Sequence, residues 1–431
     1  MSAQADELNQ VIRDANPHVF DMLSAKGKRI FFPTAGILAQ TAQAAGVGIN
    51  ATIGSAIDDA GGVMQLPSVA SQIPGGGAGI LAYAPNLGKP ELRKAWRGMI
   101  LKKNPALRPD GISTPVVTAA LTHGLYAAAY LFADDGDSVI TPDLFWENYN
   151  LIFTYAHGAR LDTFPMFNAA NGFNTDALRD KLLSGPVGKK IVILNFPNNP
   201  TGYTPTAAEA KAIADIIIES ADKGNDVVAL IDDAYFGLVF EEGIFKESIF
   251  SLLADAHERI LAVKIDGPTK EDYAWGMRIG FVTIAAARGG AAFYGAMESK
   301  LGGSIRGSTS SSSSVGQAML LNAYKSPTYE KEKDEKYQIL LRRYRRIKDI
   351  LDSRKEYAEY IRPLPFNSGY FLCLKVLSGK AEEVRRTLLD RYDTGVIALY
   401  NLLRVAFSST PYEQLEKLFD NIYRAARDVS G

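Results

Sequence analysis

Seven short runs of apolar and β-branched residues divide the middle of the chain into strand-like segments. They lie at 114–120, 137–143, 159–165, 190–197, 226–233, 259–266 and 278–285, and KIVILNFP and DVVALIDD are typical of them. Helical patterns separate several of these runs; the one at 206–224 begins with a threonine, a common helix cap, and ends at Gly224. Apolar strands that alternate with helices along a chain are typical of parallel sheets covered by helices on both faces. We therefore predict an α/β fold with a mainly parallel seven-stranded sheet sandwiched by helices.

The pattern changes near residue 325. A charged segment at roughly 327–354 predicts a long helix, and RPLPFNSGYFLCLKV, a further helix, the strand LLRVAFSS and a last helix follow it. These elements predict a smaller α+β domain. We therefore expect 1–62 to be an N-terminal arm and part of the small domain, 63–325 a large ligand-binding domain, and 326–431 the C-terminal small domain.

The tract GSTSSSSSVGQA at 307–318 has two interpretations. Its composition is typical of a flexible linker. It also lies between two helical patterns, where a serine-rich loop lining a polar site fits equally well. The sequence alone leaves both open.

Composition excludes several classes of protein. A length of 431 residues exceeds the usual single core and favours two domains. Lys and Arg total 47 against 48 Asp and Glu, a net charge of −1, and no basic stripe favours a nucleic acid. The four histidines are scattered without a paired motif, so we expect no metal site.

The chain also lacks the patterns of a secreted or membrane protein. Cys373 is the only cysteine, which excludes an internal disulfide framework and suits a reducing compartment. The N-terminal stretch MSAQADELNQVIRDANPHVF is polar and acidic, without the apolar core of a signal peptide, and no apolar run approaches about eighteen residues. We expect a soluble, cytoplasmic protein.

Candidate chemistry lies at the carboxyl ends of the predicted strands, where parallel sheets bind ligands. After the first run, Leu121 and Thr122 open a helix, which makes either an ordinary helix cap or an anion site built from helix amides. Trp146 follows the second run, as plain core or as a plate against a flat ligand. In PNNPTG, the bond between Asn199 and its proline is a place where a cis peptide is plausible.

The next two strands end in charged groups. Asp232 and Asp233 close a buried strand, which is costly for an acid without a cationic partner, and Tyr235 follows them. Lys270 comes after the next strand. Together these groups suit pyridoxal phosphate. Its phosphate needs an anion cradle, its ring an aromatic plate, and its pyridinium nitrogen a carboxylate. Its ring oxygen needs donors such as an amide and a phenol, and its aldehyde needs a lysine.

These residues also carry a resemblance. YAPNLGKPELRKAW, NNPTG, DDAY, and the lysine followed eight residues later by the arginine of GMRIG resemble the fold-type I pyridoxal-phosphate aminotransferases, specifically the aspartate aminotransferase-like class I group. The likeness runs from ATIGSAIDDAGGVMQLPSV to LLRVAFSS, nearly the whole chain. It implies that 63–325 is the cofactor-binding domain.

The resemblance assigns a role to each candidate. Lys270 would carry the cofactor and move protons, Asp232 would pair with the pyridinium nitrogen, and Asn199 and Tyr235 would hold the ring oxygen. Trp146 would stack on the ring. The phosphate would be bound by Leu121, Thr122 and Arg278, and by Tyr83 of the neighbouring subunit. The substrate would lie under Gly54, beside Trp146 and Asn199, with its α-carboxylate on Arg404.

Spacing separates the two lysines of this region. Lys264 lies inside an apolar strand, with the acid Asp272 eight residues later, whereas Lys270 lies beyond the strand end with Arg278 at that spacing. We therefore predict Lys270. Gly267 stands where the family often has serine, so one phosphate hydroxyl ligand is missing. His123 stands where the family commonly has a small residue.

The resemblance implies transamination with ping-pong kinetics between an amino acid and a 2-oxo acid such as 2-oxoglutarate, in a homodimer with shared active sites. Arg306 is either a surface arginine or, as the resemblance implies, near the position of the arginine that crosses the dimer interface to the distal carboxylate of aspartate or glutamate. Aromatic donors are the alternative. A pyridoxal-phosphate lyase or β-decarboxylase could use the same residues, and a non-catalytic regulator on this fold fits less well.

Overall fold

A computed structural model describes residues 37–431 except 53, 55, 63, 65, 71–82 and 288, together with residues 3, 6, 7 and 10. Most of the predicted N-terminal arm therefore lies outside the described residues. So does part of ATIGSAIDDAGGVMQLPSV, where the resemblance begins.

The described elements follow in chain order. The strands are β1 (Ile49–Asn50), β2 (Val116–Thr118), β3 (Ser138–Pro142), β4 (Arg160–Phe164), β5 (Lys189–Asn195), β6 (Asp226–Asp232), β7 (Ile260–Asp266), β8 (Gly280–Ala286), β9 (Ile361–Pro363), β10 (Phe371–Val376), β11 (Thr394–Gly395), β12 (Ile397–Leu399) and β13 (Leu402–Ala406). The α-helices are α1 (Ile37–Gln43), α2 (Pro67–Ala70), α3 (Pro90–Lys103), α4 (Ala120–Phe132), α5 (Thr175–Leu183), α6 (Ala207–Asp222), α7 (Ile249–Leu253), α8 (Pro268–Glu271), α9 (Ala291–Ser308), α10 (Ser314–Tyr324), α11 (Tyr329–Ser353), α12 (Ala381–Tyr392) and α13 (Leu415–Ser430).

The central sheet has seven strands within the described residues, in the order β2-β8-β7-β6-β5-β3-β4. Only β8 runs antiparallel to its neighbours, so the predicted mainly parallel sheet is confirmed. Each strand falls inside one of the seven apolar runs or within a residue of it, because a strand buried on both faces needs uninterrupted apolar sequence. The predicted helix at 206–224 is α6, which Thr206 and Glu209 cap reciprocally.

The two faces of this sheet have separate cores. Along β6, Val228 and Leu230 pack on the face covered by α4 and α9, whereas Val227, Ala229 and Ile231 pack on the face covered by α3 and α6. Successive side chains of a strand point to opposite faces, so position parity decides which core a residue joins. The same alternation decides which face of the sheet each polar residue at a strand end lies on.

A second, antiparallel sheet has the order β12-β13-β10-β9 and packs against α12 and α13. The pair β1 and β11 brings the segment at Ile49 to this part of the molecule. Helix α11 contributes Leu340 to a core beside the cavity described below and Ile347 to the core of the small sheet. The boundaries at 62/63 and 325/326 stay predictions.

The serine tract is a connection between helices and not an interdomain linker. Its first residues end α9, residues 309–313 form the turn, and its last residues begin α10. The Ser313 hydroxyl caps α10 by accepting from the amide of Gly316 at 3.0 Å, and the Ser312 hydroxyl donates to the carbonyl of Thr118 at 3.1 Å. Capping explains serines here better than linker composition does, because helix ends leave backbone groups unpaired.

Among the described residues, no helix is both long and apolar enough to cross a membrane.

Candidate active site

A cavity of about 450 Å³ lies at the carboxyl ends of the central strands, on the face covered by α4. Its size suits a small organic ligand. Ten of the twelve predicted site residues line it: Gly54, Leu121, Thr122, Trp146, Asn199, Asp232, Tyr235, Lys270, Arg278 and Arg404. Tyr83 and Arg306 are the two that do not.

One end of the cavity is a backbone cradle at the start of α4. Ala120 has φ of 68° and Arg278 has φ of 54°, so both residues adopt the left-handed conformation. Such strain in non-glycine residues is typical of functional sites. A Cβ on Gly280 would lie 2.5 Å from the carbonyl carbon of Ala120, so the final glycine of GMRIG lets β8 reach the cradle. The amides at the helix start and the Arg278 guanidinium suit an anion.

The two departures from the family pattern have structural reasons. A Cβ on Gly267 would lie 3.0 Å from the carbonyl oxygen of Ile279 and 3.1 Å from the side chain of Leu121, which disfavours serine here. His123 accepts from the amide of Ala119 at 3.1 Å through Nδ1, and its Nε2 lies 2.8 Å from the Ser308 hydroxyl. Burial lowers the pKa of His123, which favours the neutral ring that these contacts require. His123 therefore joins the cradle to α9.

Asp232 ends β6 and is buried in the cavity wall. The Tyr149 hydroxyl donates to its Oδ2 at 2.6 Å, and the amide of Ala234 donates to its Oδ1 at 3.2 Å. Burial raises the pKa of Asp232 to about 6, although Tyr149, Lys270 and the amide of Ala234 favour its charged form. A buried carboxylate with a raised pKa is stabilised in its charged form by a ligand that carries a positive charge.

Asp233 faces the opposite side of the sheet. It pairs with the fully buried Lys264, and the Ser248 hydroxyl donates to its Oδ2 at 2.5 Å. Lys264 lies 3.4 Å from Asp266, which also accepts from the Trp96 indole at 2.9 Å. Lys264 and Asp233 thus neutralise each other away from the cavity.

Lys270 lies on the single turn α8, with its Nζ 5.2 Å from the centre of the Tyr235 ring. Burial lowers the pKa of the Lys270 amine to about 8; Asp232 opposes this shift and Arg278 adds to it. A lysine with a depressed pKa supplies neutral amine near physiological pH, which both covalent attachment and proton transfer require.

The two acids after Lys270 anchor this turn. Glu271 accepts from Lys103 of α3 at 2.8 Å and from Lys333 of α11 at 2.9 Å. Asp272 accepts from Lys333 at 2.8 Å and from the Tyr329 hydroxyl at 2.6 Å. Burial opposes ionisation, but Lys103 and Lys333 hold the pKa of Glu271 at about 2. The Glu271 carboxylate is therefore charged, and both acids are paired with Lys333.

Arg404, on β13, also lines the cavity. Its guanidinium donates to the side chain of Asn199 at 3.2 Å and to the carbonyl of Thr52 at 3.3 Å, and lies 4.4 Å from the centre of the Phe371 ring. Its buried Nε has no partner in the described structure. A buried arginine with an unpaired donor at a cavity wall suits a carboxylate ligand.

The two predicted residues outside this cavity lie on the surface. The Tyr83 side chain is 94% exposed. Arg306 is near the end of α9, where its guanidinium donates to the Ser310 hydroxyl at 2.7 Å.

Several lining residues were not predicted. Asn195 ends β5, and its side chain accepts from the amide of Asn199 at 2.8 Å and donates to the carbonyl of Asp232 at 2.8 Å, which ties two neighbouring strand ends together. The strand-end rule that identified Asp232 would also have identified Asn195. Thr41 of α1 and Thr269, which also line the cavity, carry no such signal, and neither does Tyr149, which contacts Asp232 from behind the lining. The Thr269 hydroxyl is buried and unpaired, as expected beside a polar ligand.

The chain is similar in sequence to known aminotransferases. The model of the family "Aminotransferase class I and II" matches residues 49–422. The chain is 30% identical over 208 residues to a probable N-acetyl-LL-diaminopimelate aminotransferase of Bacillus subtilis (strain 168), covering 47% of each chain. It is 27% identical over 254 residues to an aspartate aminotransferase of Bacillus sp. (strain YM-2), covering 58% of each. These alignments span about half the length of the curated relatives.

Solved structures share the fold. An aminotransferase from Anaerococcus prevotii DSM 20548 superposes with a TM-score of 0.81, covering 94% of this chain and 99% of its own at 22% identity. The aromatic aminotransferase from Pyrococcus horikoshii OT3 gives 0.71, covering 92% and 100% at 19% identity. At these identities the likeness shows the fold alone.

Proposed function

The chain belongs to the class I and II aminotransferases, and from that premise we propose that it is a pyridoxal-phosphate-dependent enzyme that moves an amino group between an amino acid and a 2-oxo acid. One observation carries the proposal. The half-buried amine of Lys270, the buried carboxylate of Asp232 and the buried guanidinium of Arg404 line one cavity beside an anion cradle.

The described residues fit the cofactor. The cradle at Leu121 and Thr122, with Arg278, would hold the phosphate, and Trp146 would cover the ring. Asp232 would hold the ring nitrogen, Asn199 and Tyr235 the ring oxygen. The Thr269 hydroxyl is unpaired, and Asp232 forms hydrogen bonds but no salt bridge within the described residues. An apolar or anionic ring would leave both groups unsatisfied, whereas a protonated ring nitrogen suits Asp232.

When bound, pyridoxal phosphate supplies an electron sink for the bonds of an amino acid's α-carbon. The chain supplies the rest. Arg404 would bind the α-carboxylate, and Lys270 lines the same cavity. The Lys270 amine takes the α-proton and returns it one step later, and its pKa of about 8 suits both directions near neutral pH. The Asp232 carboxylate keeps the ring nitrogen protonated.

We further propose a dicarboxylic donor, aspartate or glutamate, with 2-oxoglutarate as acceptor. Arg306 projects from α9 with most of its guanidinium donors available, and a guanidinium binds a carboxylate through paired hydrogen bonds. Since Arg306 does not line the cavity of its own chain, this role requires that it serve the second subunit of a homodimer. The exposed Tyr83 has the same requirement.

The function is tested by a panel of amino acids. Each is mixed with the purified chain, the change in cofactor absorbance is recorded, and the product is identified. We expect a 2-oxo acid whose continued release requires a 2-oxo acid acceptor. Release of ammonia, pyruvate or carbon dioxide without an acceptor would instead support a lyase or β-decarboxylase.

Donor choice is tested with Arg306→Ala. We expect kcat/KM for aspartate to fall by an amount equivalent to roughly 2–5 kcal/mol, the cost of unpairing a buried charge pair, and to change far less for a neutral donor. Equal losses on both would leave transamination standing and remove the proposed specificity.

A further inference from the structure

Tyr370 contacts the backbone of Lys270 and lies beside the strand pair that carries Arg404. It is fully buried and immediately precedes β10. Its hydroxyl donates to the backbone carbonyl of Lys270 at 2.9 Å. Its neighbour Phe371 carries the ring over which the Arg404 guanidinium lies, and β10 pairs with the Arg404 strand through Cys373 opposite Arg404.

The turn that carries Lys270 is too short to hold itself. Helix α8 has four residues, and its closing backbone hydrogen bonds measure 3.1 Å, from Asp272 to Pro268, and 3.4 Å, from Tyr273 to Lys270 and from Ala274 to Pro268. The latter two are longer than a well-formed bond, and isolated single turns are unstable. An external donor to the Lys270 carbonyl therefore contributes to the position of the side chain.

Tyr370 is itself held rigidly. The amide of Gly369 donates to the carbonyl of Leu238 at 2.8 Å, and Ser368 pairs with Val239. The Tyr370 ring packs edge-on against Tyr235, with ring centres 5.3 Å apart, and Tyr235 is the ring beside the Lys270 amine. Burial raises the pKa of Tyr370 well above its usual value, so the hydroxyl stays a donor.

We propose that Tyr370 is a positioning residue that fixes the backbone of Lys270 relative to the strand pair carrying Arg404, and so sets the distance between the proton-transferring amine and the carboxylate-binding guanidinium. This inference rests on the proposed function. A fixed distance matters because the two groups must meet atoms of one small substrate at once, and small misplacements of a reacting group slow a reaction strongly.

The test uses Tyr370→Phe, with Tyr294→Phe as a matched control. Tyr294 is also buried and donates to a backbone carbonyl, that of Gly111 at 2.7 Å, but it lies outside the cavity. Deuterium uptake by residues 268–274 is measured in the full-length protein with its cofactor, and kcat, KM and the isotope effect of an α-deuterated donor are measured in parallel.

For Tyr370→Phe we expect faster uptake across 268–274, kcat about tenfold lower with KM nearly unchanged, and a larger isotope effect, because the loss of one buried hydrogen bond misplaces the base. Tyr294→Phe should change none of these. An isotope effect and an uptake equal to wild type would overturn the proposal.

Two further results are decisive. If Tyr370→Phe does not fold, uptake in the wild type decides, because amides at 272–274 that exchange as fast as an unprotected turn would contradict a fixed backbone. If the wild type releases no oxo acid from any donor, the proposed function fails, while the uptake comparison still tests the contact between Tyr370 and Lys270.

Discussion

Asp232 and Asp233 show how surroundings separate two neighbouring carboxylates. Lys264 compensates the charge of Asp233, whereas Asp232 relies on the hydroxyl of Tyr149 and the amide of Ala234. Hydrogen bonds from neutral donors offset burial less than a full opposite charge does. Asp232 is therefore the acid that gains most from a cationic ligand.

A pair of substitutions tests this difference. We expect Asp232→Ala to lower kcat by at least about 10²- to 10³-fold in a protein that still folds, as happens when a preorganised charge is removed from an active site. Asp233→Ala should instead destabilise the fold by up to about 3–5 kcal/mol, because the buried Lys264 would lose its nearest carboxylate and keep only the more distant Asp266. Steady-state kinetics and denaturant unfolding distinguish the two, and the reverse order would contradict the assignment.

The pKa of Asp232 also predicts a pH dependence. In the cofactor-free protein it is raised by burial to about 6, above the ordinary 3.8 of an unfolded chain, so the native state binds this proton more tightly. The contribution of Asp232 to the free energy of unfolding is then full below about pH 4 and falls as the pH rises through about 6.

The decrease in the free energy of unfolding between about pH 4 and the range above pH 6 should amount to about 2–3 kcal/mol at most. Urea titrations across this range should show it in the wild type and not in Asp232→Asn. Added cofactor should reduce it, since a cation beside Asp232 favours the charged form. A wild-type profile parallel to that of Asp232→Asn would exclude the effect.

At the scale of elements, strand parity and helix anchoring position the site. Asp232 and Asn195 share a face because both continue the parity of Leu230 and Ile193 in the core under α4. Helix α8 is held from outside, by Lys103 of α3 and Lys333 of α11. A one-turn helix thereby acquires a fixed place that its own hydrogen bonds do not provide.

Lys333→Met tests the anchor, with Lys331→Met as control. Lys333 contacts Glu271 and Asp272, whereas the exposed Lys331 lies 3.9 Å from Glu335. We expect Lys333→Met to lower the free energy of unfolding by about 2–4 kcal/mol, because the two acids keep only their other donors, and Lys331→Met by less than about 1 kcal/mol. Equal effects in urea unfolding would mean that the pairing is not an anchor.

At the scale of the whole molecule, the position of Tyr83 predicts shared sites. Tyr83 is 94% exposed and lies outside the cavity of its own chain, which suits a residue that reaches the cavity of a second copy. Tyr126 and Tyr130, one helical turn apart on α4, are exposed as well. An isologous pairing of two chains would give each cavity the partner's tyrosine.

Mixed dimers test this arrangement. Lys270→Ala and Tyr83→Ala should each be nearly inactive alone, and mixing them after dissociation should restore up to about one quarter of wild-type activity, because each hybrid dimer contains one intact site. Mixing either variant with itself is the control. Full activity of a monomer in sedimentation would contradict a shared site.

The sequence by itself determined the elements and most of the cavity. Apolar runs predicted the seven strands because burial on both faces leaves a continuous local pattern, and the strand-end rule reached Asp232, Asn199 and Lys270 because parallel strands end at one edge. The linker interpretation of the serine tract was wrong, since composition does not reveal a helix cap.

Only the tertiary structure decided which distant side chains complete the site. Tyr149 reaches Asp232 across 83 positions, Tyr370 reaches Lys270 across 100, and Lys333 reaches Asp272 across 61. No local period encodes such pairs, because they depend on how layers pack once the elements have formed. The pKa values of Lys270 and Asp232 follow from the same packing, since burial is their largest cause and burial is a property of the folded chain.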